Sequence, residues 1–367
     1  MSVEDQVEKE FSEQVDKIGK VNLMVVGGTG VGKSSLVNKV FGEDLAETGS
    51  GEPVTRGCHL YEKDHIPVAI FDTEGYEIID GEIDNSNFSR NVLSEIDRRK
   101  IRDLKDQIHV FWYCISASNH RVTSYDIENI KSLQSRGLKV GIVITQCDTE
   151  EVNDKEEGVT SLEFRRVLKE NSIHDPVFET STEINDGLQL DALIEWSSEI
   201  LPDDGLREAF IGAQKNNIGL KVEKAKAAIL AASGVAASAG GINPVPLSDS
   251  AVIVPVQTAL AVRLAKIYGF NATSNAALAL LKSQLVSLAG RQLAASLTKL
   301  VPVVGQIINA SVAGAITAGF GFALNEIYKN AYIQVLETGE APDWAKLFDN
   351  IDISGFIKEF YEEKRRA

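Results

Sequence analysis

A lysine and a serine directly follow a glycine-rich run in residues 27–42, which read GGTGVGKSSLVNKVFG. The spacing fits the pattern G-x-x-x-x-G-K-[ST], with Gly27, Gly32, Lys33 and Ser34 at its defined positions. Glycines let backbone N–H groups approach phosphate oxygens, while a lysine ammonium and a serine hydroxyl supply a counter-charge and a ligand for Mg²⁺. These residues therefore predict a site for a nucleotide's phosphates and their metal ion.

The elements around this loop fit the same chemistry. The apolar run at residues 21–27 predicts a buried parallel strand, and the helical spacing after Ser34 places a helix N-terminus beside the phosphates. We expect Lys33 to reach the β- and γ-phosphates and the Ser34 hydroxyl to bind Mg²⁺. The loop residues expected to bind the nucleotide are Gly28, Thr29, Gly30, Val31, Gly32, Lys33, Ser34 and Ser35.

A second apolar run, IPVAIFDTEG at residues 66–75, ends in the pattern D-x-x-G. Asp72 falls at the end of this predicted strand, where its carboxylate can support Mg²⁺, and the Gly75 N–H can sense a γ-phosphate. Upstream, Thr55 lies in a loop that could close over the same metal ion. The expected metal ligands are thus Ser34, Thr55 and Asp72, and Lys33, Thr55 and Gly75 are expected to act in hydrolysis.

The later loops complete a recognisable order. A third apolar strand ends in Thr145-Gln146-Cys147-Asp148, and a further strand leads to Ser181-Thr182-Glu183. This order resembles the Era-like branch of the Ras-type GTPases over the N-terminal half of the chain. The resemblance implies GTP or GDP with Mg²⁺ as ligands. It gives Asp148 the recognition of guanine, places Gln146 beside the base, and assigns the guanine oxygen to backbone N–H groups of Ser181 and Thr182.

Three positions depart from that family pattern. Gln146 replaces a lysine whose stem packs on the base, so we expect reduced affinity for guanine. Tyr76 stands where Ras-type enzymes carry a glutamine that orients water, which predicts slow intrinsic hydrolysis. Gly30 occupies the position where some relatives use an asparagine to hold an activating K⁺.

Two groups of polar residues are interpreted as structural. The basic cluster around Arg98 and Arg99 is better explained as a solvated face paired with acidic neighbours than as arginines offered to phosphate. His109 begins an apolar strand, which favours a structural role over a catalytic one.

Composition limits the partners and the compartment. The 367 residues carry a net charge of -16 without a basic stripe, which argues against nucleic acid as the main partner. The cysteines Cys58, Cys114 and Cys147 are odd in number and lack metal-ligand spacing, so a reducing cytoplasm is the simplest location. The polar N-terminus resembles neither a signal peptide nor a transit peptide.

The composition changes after residue 202, where alanine and glycine become frequent and charges sparse. We therefore predict an N-terminal helical extension over residues 1–19 and an α/β P-loop GTPase domain over 20–202, with a mainly parallel sheet and helices on both faces. An all-α domain is predicted over 203–367. Residues 215–335 resemble a helical domain of unknown function found behind Era-like GTPase domains.

Residues 301–324 carry no formal charge and are long enough to cross a bilayer as a helix. A membrane-inserting hairpin is one interpretation. A helix buried in an α-helical bundle is preferred, because polar residues and Pro302 interrupt the run and the mean hydropathy of the chain is only -0.06. The layout is also similar to immunity-related GTPases, a resemblance that implies action at a membrane surface, with a second copy or a protein effector as further partners.

Three functions are consistent with these features. The first is a slow GTPase whose nucleotide state controls the helical domain at a membrane or a partner. The second is a guanine-nucleotide sensor that does not hydrolyse GTP, which Tyr76 and Gln146 suggest. The third is an ATP-using P-loop enzyme, in which Asp148 would be only a loop acid.

Overall fold

We analysed a computed structural model of the chain, which divides into two compact units, one covering Gly19–Asn217 and the other containing Ile218–Ala367. The residues that the structure describes are 20–42, 52–55, 58–63, 66–73, 78–79, 82–83, 88–184, 187–215, 217–240, 250–270, 307–351 and 355–356. The N-terminal extension predicted over residues 1–19 lies outside them.

The first unit is built on a mainly parallel sheet, as predicted. Its strands follow the order β2-β3-β4-β1-β7-β8-β9, in which the five strands β4, β1, β7, β8 and β9 run parallel and β2 and β3 form an antiparallel edge. The strands of the sheet are β1 Val21–Gly27, β2 Glu52–Thr55, β3 Cys58–Lys63, β4 Ile66–Thr73, β7 Val110–Ser116, β8 Val140–Thr145 and β9 Val177–Glu179. Two short strands, β5 Ile78–Ile79 and β6 Glu82–Ile83, pair separately.

The central strands are buried along their whole length, as continuous apolar runs in a parallel sheet covered on both faces should be. The described helices of this unit are α1 Lys33–Phe41, α2 Ser94–Lys100, α3 Ser124–Gln134, α4 Val159–Glu170, α5 Leu190–Glu199 and α6 Asp204–Ala213, with a π-helical turn at Phe88–Leu93 leading into α2. One large apolar cluster joins the sheet to the helices that pack on it.

The strand register brings the carboxyl ends of the parallel strands to one edge of the sheet. Val25 of β1 pairs with Asp72 of β4, and Gly27 pairs with Cys114 of β7. On the other side of β7, Ser116 pairs with Thr145 of β8. Loops that are far apart in the chain therefore begin side by side.

Helix α6 belongs to the sheet unit. Phe210 of α6 makes edge-to-face contacts with Phe41 and Trp112, at ring-centroid distances of 5.8 and 6.5 Å. The Lys215 N–H then donates to the Val40 carbonyl at 2.8 Å. The compact unit thus continues to Asn217, whereas the change in composition placed the boundary at residue 202, because composition does not show which core the apolar face of α6 joins.

The second unit is helical, as predicted. Its described helices are α7 Ile218–Gly240, α8 Ser250–Ile267, α9 Ile307–Thr338 and α10 Trp344–Asp349. Small residues allow α7 and α9 to approach closely, since a Cβ on Gly314 would lie 3.0 Å from the Ala237 Cβ. Gly321 is equally confined between Ile229 and Leu260.

The predicted apolar segment 301–324 overlaps α9, and its first residues, 301–306, lie outside the described part of the chain. From Ala313 to Leu324 the side chains of α9 are buried or half-buried within the helical unit, as expected for the interior of a bundle. Among the described residues, every helix falls short of the length and apolar character needed to span a bilayer.

Candidate nucleotide site

The loop after β1 has a backbone that demands glycine. Gly27 has φ 146°, and a Cβ added there would lie 2.3 Å from the Cys114 carbonyl oxygen. Gly30 and Gly32 also have positive φ, at 75° and 87°, and Gly32 immediately precedes α1. A Cβ on Gly30 would meet open space, so its glycine is required by φ rather than by crowding.

Lys33 is the first residue of α1, and its side chain contacts the loop. Its side chain is buried, and its Nζ donates to the Gly28 carbonyl at 2.9 Å and the Gly27 carbonyl at 3.2 Å. A charge held beside the loop backbone and the N-terminus of α1 is suited to an anionic ligand. Ser34 is the next residue of α1 and is half-buried, so the predicted phosphate ligand and metal ligand are adjacent. Thr29, Gly30 and Ser35 are exposed around them.

The predicted metal and switch residues fall at the same edge of the sheet as far as they are described. Asp72 is the penultimate residue of β4 and lies in register with Val25 of β1. Thr55 ends β2 and pairs with Cys58, which in turn pairs with Thr73 at the end of β4. Gly75 lies outside the described residues, as does Tyr76. Their roles in metal binding and hydrolysis stay predictions.

The predicted base-recognition residues come together across two loops. Asp148 lies exposed in a short 3-10 turn after β8, and the hydroxyl of buried Ser181 donates to its Oδ1 at 2.5 Å. The same Ser181 oxygen accepts the Glu183 N–H at 3.1 Å. A neighbouring backbone hydrogen bond from Cys147 to the Thr180 carbonyl, at 3.1 Å, joins the two loops. The structure therefore holds the carboxylate of Asp148 in one orientation beside Ser181.

Gln146 links this region to the phosphate loop. It has a left-handed backbone, with φ 58°, and its Oε1 accepts the Ser116 hydroxyl at 2.5 Å. Its Nε2 lies 3.9 Å from the position of a Cβ built on Gly32. Beside it, the Thr145 hydroxyl donates to the Val31 carbonyl at 2.5 Å. A neutral amide, oriented by a serine, thus takes the place of the family's lysine.

The sequence did not predict two contacts of this site, those made by the side chains of Ser116 and Lys39. Ser116 was not predicted because its role depends on β7 and β8 being neighbours. Lys39 of α1 donates from Nζ to the carbonyls of Thr182 and Ile184, both at 3.3 Å, which no local motif indicates. The one sequence signal for the Ser116 contact is the position of Ser116 at the end of an apolar strand.

The arginines of the basic cluster pair with an acidic neighbour, as predicted, but the predicted solvated face is wrong for Arg99, whose side chain is only 11% exposed. Glu95 is fully buried and accepts hydrogen bonds from Arg98 at 2.8 Å and from Arg99 at 2.6 Å. Burial by itself would raise the pKa of Glu95, but the hydrogen bonds and charges of the two arginines outweigh it and lower the pKa below 4.5. Arg99 also covers the Phe71 ring at 4.3 Å, so this cluster ties α2 to β4.

His109 has a structural role. Its Nδ1 accepts the Asn22 N–H at 2.9 Å, and its Nε2 lies 2.8 Å from the Leu104 carbonyl. Burial lowers the pKa of His109, which favours the neutral imidazole that these contacts require.

A mainly parallel sheet with a lysine-bearing glycine loop after its first strand defines a P-loop GTPase domain. Comparison with known proteins agrees. Residues 22–146 match the family model described as 50S ribosome-binding GTPase. Residues 213–339 match a domain of unknown function, in agreement with the resemblance predicted for 215–335 and with a sheet unit that ends at Asn217.

Among curated proteins, the chain is similar to septins. It is 30% identical to Septin-1 of Drosophila melanogaster over 164 residues, which are 36% of this chain and 43% of that protein. It is 27% identical to neuronal-specific septin-3 of Rattus norvegicus over 191 residues, 46% of this chain and 51% of the relative. The chain thus spans about half the length of the curated relatives it matches. The predicted Era-like branch and the likeness to immunity-related GTPases stay predictions.

Among solved structures, a probable GTP-binding protein, engB, aligns with 51% of this chain and 99% of its own, at 17% identity and a TM-score of 0.34.

Proposed function

We propose that this protein binds GTP and GDP together with Mg²⁺ and hydrolyses GTP slowly. The observation that carries the proposal is the Ser181–Asp148 hydrogen bond, because it orients a carboxylate for guanine at the sheet edge where Lys33 occupies the phosphate loop. A carboxylate held in this way can accept hydrogen bonds from the N1–H and the 2-amino group of guanine together, whereas N1 of adenine is an acceptor. The oriented Asp148 therefore favours guanine over adenine.

Each residue has a defined task in this proposal. Lys33 neutralises the β- and γ-phosphates, and the backbone of the loop around Gly30 and Gly32 surrounds them. Ser34, with Asp72 and Thr55, would hold Mg²⁺, which supplies charge neutralisation at the phosphates when bound. Ser34 directly follows Lys33 in α1, so its hydroxyl would suit a metal ion that also takes phosphate oxygens as ligands.

Slow hydrolysis follows from Tyr76, because a phenol cannot position a water molecule as a carboxamide does. A faster rate would need a group from a partner or from elsewhere in this chain. The described arginines at 98 and 99 already bind Glu95, which makes them poor sources of that group.

We further propose that the nucleotide state controls the helical domain. Contacts of Thr55 and Gly75 with a γ-phosphate would be lost in the GDP state, and the loops that carry them would then loosen. The helical domain would act in the cytoplasm at a membrane surface, on an effector protein or on a second copy of this chain. The net charge of -16 supports a partner other than nucleic acid.

The binding proposal is tested by displacement of a fluorescent GDP with GDP, GTP and ADP. We expect GDP and GTP to compete and ADP to fail. Lys33→Ala should weaken binding at least a hundredfold, equivalent to about 3 kcal/mol, because the phosphate charge loses its partner. Lys169→Ala, an exposed lysine of α4, is the matched control and should bind as the wild type does. Equal displacement by ADP would contradict the proposal.

A sensor that binds without hydrolysis is the second candidate, and the replacements at Gln146 and Tyr76 favour it. Single-turnover release of phosphate from GTP separates the two functions. Release that depends on Lys33 and Mg²⁺ supports the GTPase, whereas complete retention of GTP by fully loaded protein supports the sensor.

A further inference from the structure

The helix that begins in the phosphate loop also reaches the base-recognition loop. Helix α1 starts at Lys33, and Lys39 lies six residues later, about 9 Å along the helix axis. The half-buried Lys39 side chain places its Nζ 3.3 Å from the Thr182 carbonyl and 3.3 Å from the Ile184 carbonyl. One ammonium group thus bridges two carbonyls of residues 182–184.

The loop that Lys39 contacts is held at its other end by the sheet. The Thr180 N–H donates to the Ile144 carbonyl at 2.7 Å, and the Thr180 carbonyl accepts the Cys147 N–H at 3.1 Å. Ser181, which follows directly, binds Asp148. The base-recognition loop is therefore fixed by β8 on one side and by Lys39 on the other.

Lysine is well suited to this second attachment. An ammonium has three donors and no acceptor, so it can bind two carbonyl oxygens that would otherwise repel each other. Hydrogen bonds from a charged donor are stronger than neutral ones, which limits the freedom of the loop. The other hydrogen bonds that the described chain gives to residues 182–184 are local ones: the Ser181 oxygen accepts the N–H groups of Glu183 and Ile184, and the Ile184 carbonyl accepts the Gly187 N–H at 3.1 Å.

We propose that Lys39 is a positioning residue for base recognition, which transmits the placement of the phosphate-binding helix to the loop that contacts guanine. The inference rests on the proposed guanine-nucleotide function. It adds that the phosphate and base subsites are mechanically joined through one side chain of α1. Specificity for guanine then depends on a residue that touches neither the base nor the phosphates.

The inference is tested by combining a protein change with a ligand change. Lys39→Met keeps the length of the side chain and removes its charge, and 2-aminopurine riboside diphosphate lacks the 6-oxygen and the N1 hydrogen of guanine. We expect Lys39→Met to weaken GDP about tenfold and the 2-aminopurine nucleotide less than about twofold, because only GDP uses the contacts that Lys39 positions. Lys39→Arg should restore most of the affinity for GDP.

Lys169→Met is the matched control and should leave both affinities unchanged, since Lys169 is exposed on α4. Thermal melting checks that each variant folds. If Lys39→Met does not fold, Lys39→Gln, which retains a donor, takes its place. Equal weakening of both nucleotides would overturn the inference and indicate a general structural role for Lys39. Unchanged binding of GDP by Lys39→Met would also overturn it. A wild-type protein that binds neither nucleotide would instead refute the proposed function, and this inference with it.

Discussion

Asp148 and Ser181 lie 33 positions apart in the chain, yet their side chains meet at 2.5 Å. An exposed carboxylate would ordinarily sample several rotamers, and the buried serine hydroxyl restricts it to one. A carboxylate accepts hydrogen bonds and cannot donate them, which matches the donors of guanine. In the proposed function this residue pair selects guanine, so a single substitution should reverse the selectivity.

Asp148→Asn should weaken GTP binding and favour xanthosine nucleotides, because the amide presents a donor where xanthine carries an acceptor. We expect at least a tenfold change in the ratio of the two affinities, or about 1.4 kcal/mol. Competition of GTP and xanthosine triphosphate for the same fluorescent nucleotide measures it. Asp154→Asn, in the following loop, serves as the control. An Asp148→Asn protein with the GTP affinity of the wild type would remove Asp148 from the site.

At the scale of the element, helix α2 depends on a buried acid. Glu95 is enclosed by two arginines, and Arg99 in turn covers Phe71 of β4. Because the pKa of Glu95 is lowered in the folded state, its charge stabilises the fold fully above its unfolded value near 4.5. That contribution is lost as the pH falls through the folded-state pKa.

Glu95→Gln should lower the free energy of unfolding by about 1.5–3 kcal/mol at neutral pH, as expected for lost hydrogen bonds to charged groups. The difference from the wild type should shrink as the pH falls from 4.5, where the carboxyl of the unfolded chain takes up its proton, through the lower pKa of the folded state. Urea unfolding at neutral and acid pH measures both values. Glu163→Gln, which removes an exposed ion pair with Arg166, should have little effect at either pH. A gap independent of pH would contradict this account.

Helix α9 buries a polar atom that has no partner among the described residues. Thr317 is fully buried, and its hydroxyl makes no hydrogen bond to the described part of the chain; the same holds there for the Thr258 hydroxyl on α8. Such a group loses its hydrogen bonds to water on folding and gains nothing in return. Both helices therefore carry an avoidable free-energy penalty in the packed state.

Thr317→Val should raise the free energy of unfolding of the helical unit by about 1–3 kcal/mol, because valine has the shape of threonine without the unsatisfied hydroxyl. Thermal or urea unfolding measures the gain. Thr338→Val is the control at the exposed end of α9, where the hydroxyl donates to the Gln334 carbonyl at 2.8 Å, and it should bring no gain. A destabilised Thr317→Val protein would show that the hydroxyl is satisfied in solution.

At the scale of the whole molecule, the proposal joins a nucleotide site to a helical unit. Loss of the γ-phosphate would release the loops of Thr55 and Gly75, and a change of 1.4 kcal/mol in any equilibrium linked to them alters its populations tenfold. The interior of the helical unit contains a buried charged residue type, which would reach water if the helices opened. Lys221, for example, is fully buried, donates to the Ile267 carbonyl at 3.1 Å, and has a pKa that burial lowers well below 10.5.

We predict that hydrogen exchange across residues 301–324 differs between the states loaded with a GTP analogue and with GDP. The physical reason is that loop ordering at the nucleotide shifts the conformational equilibrium of the helical unit. Mass spectrometry of fully loaded protein measures the exchange, with and without lipid vesicles. Lys33→Ala, which should not load, is the control. Identical protection in the two states would mean that these helices are a passive anchor or a rigid core.

Much of the nucleotide site was determined by the sequence alone. The phosphate loop is local: its glycines, Lys33 and Ser34 lie within a few residues, and positive φ at Gly30 and Gly32 follows from short-range sterics. The apolar runs predicted β1, β4, β7 and β8 because a strand covered on both faces needs a continuous apolar sequence. The family resemblance, drawn from the order of the motifs, implied that Asp148 and the loop of Ser181 lie together. The parallel sheet brings these two loops to the same edge.

The tertiary structure decided the contacts that depend on which elements are neighbours. Ser116 orients Gln146 only because β7 and β8 are adjacent, and Lys39 reaches residues 182–184 across 143 positions of chain. The extent of the sheet unit was decided in the same way, since Phe210 completes an aromatic cluster with Phe41 and Trp112 and carries α6 into that core. A motif records chemistry within one loop, whereas these three features arise from packing between loops, and packing is set by the free energy of the whole fold.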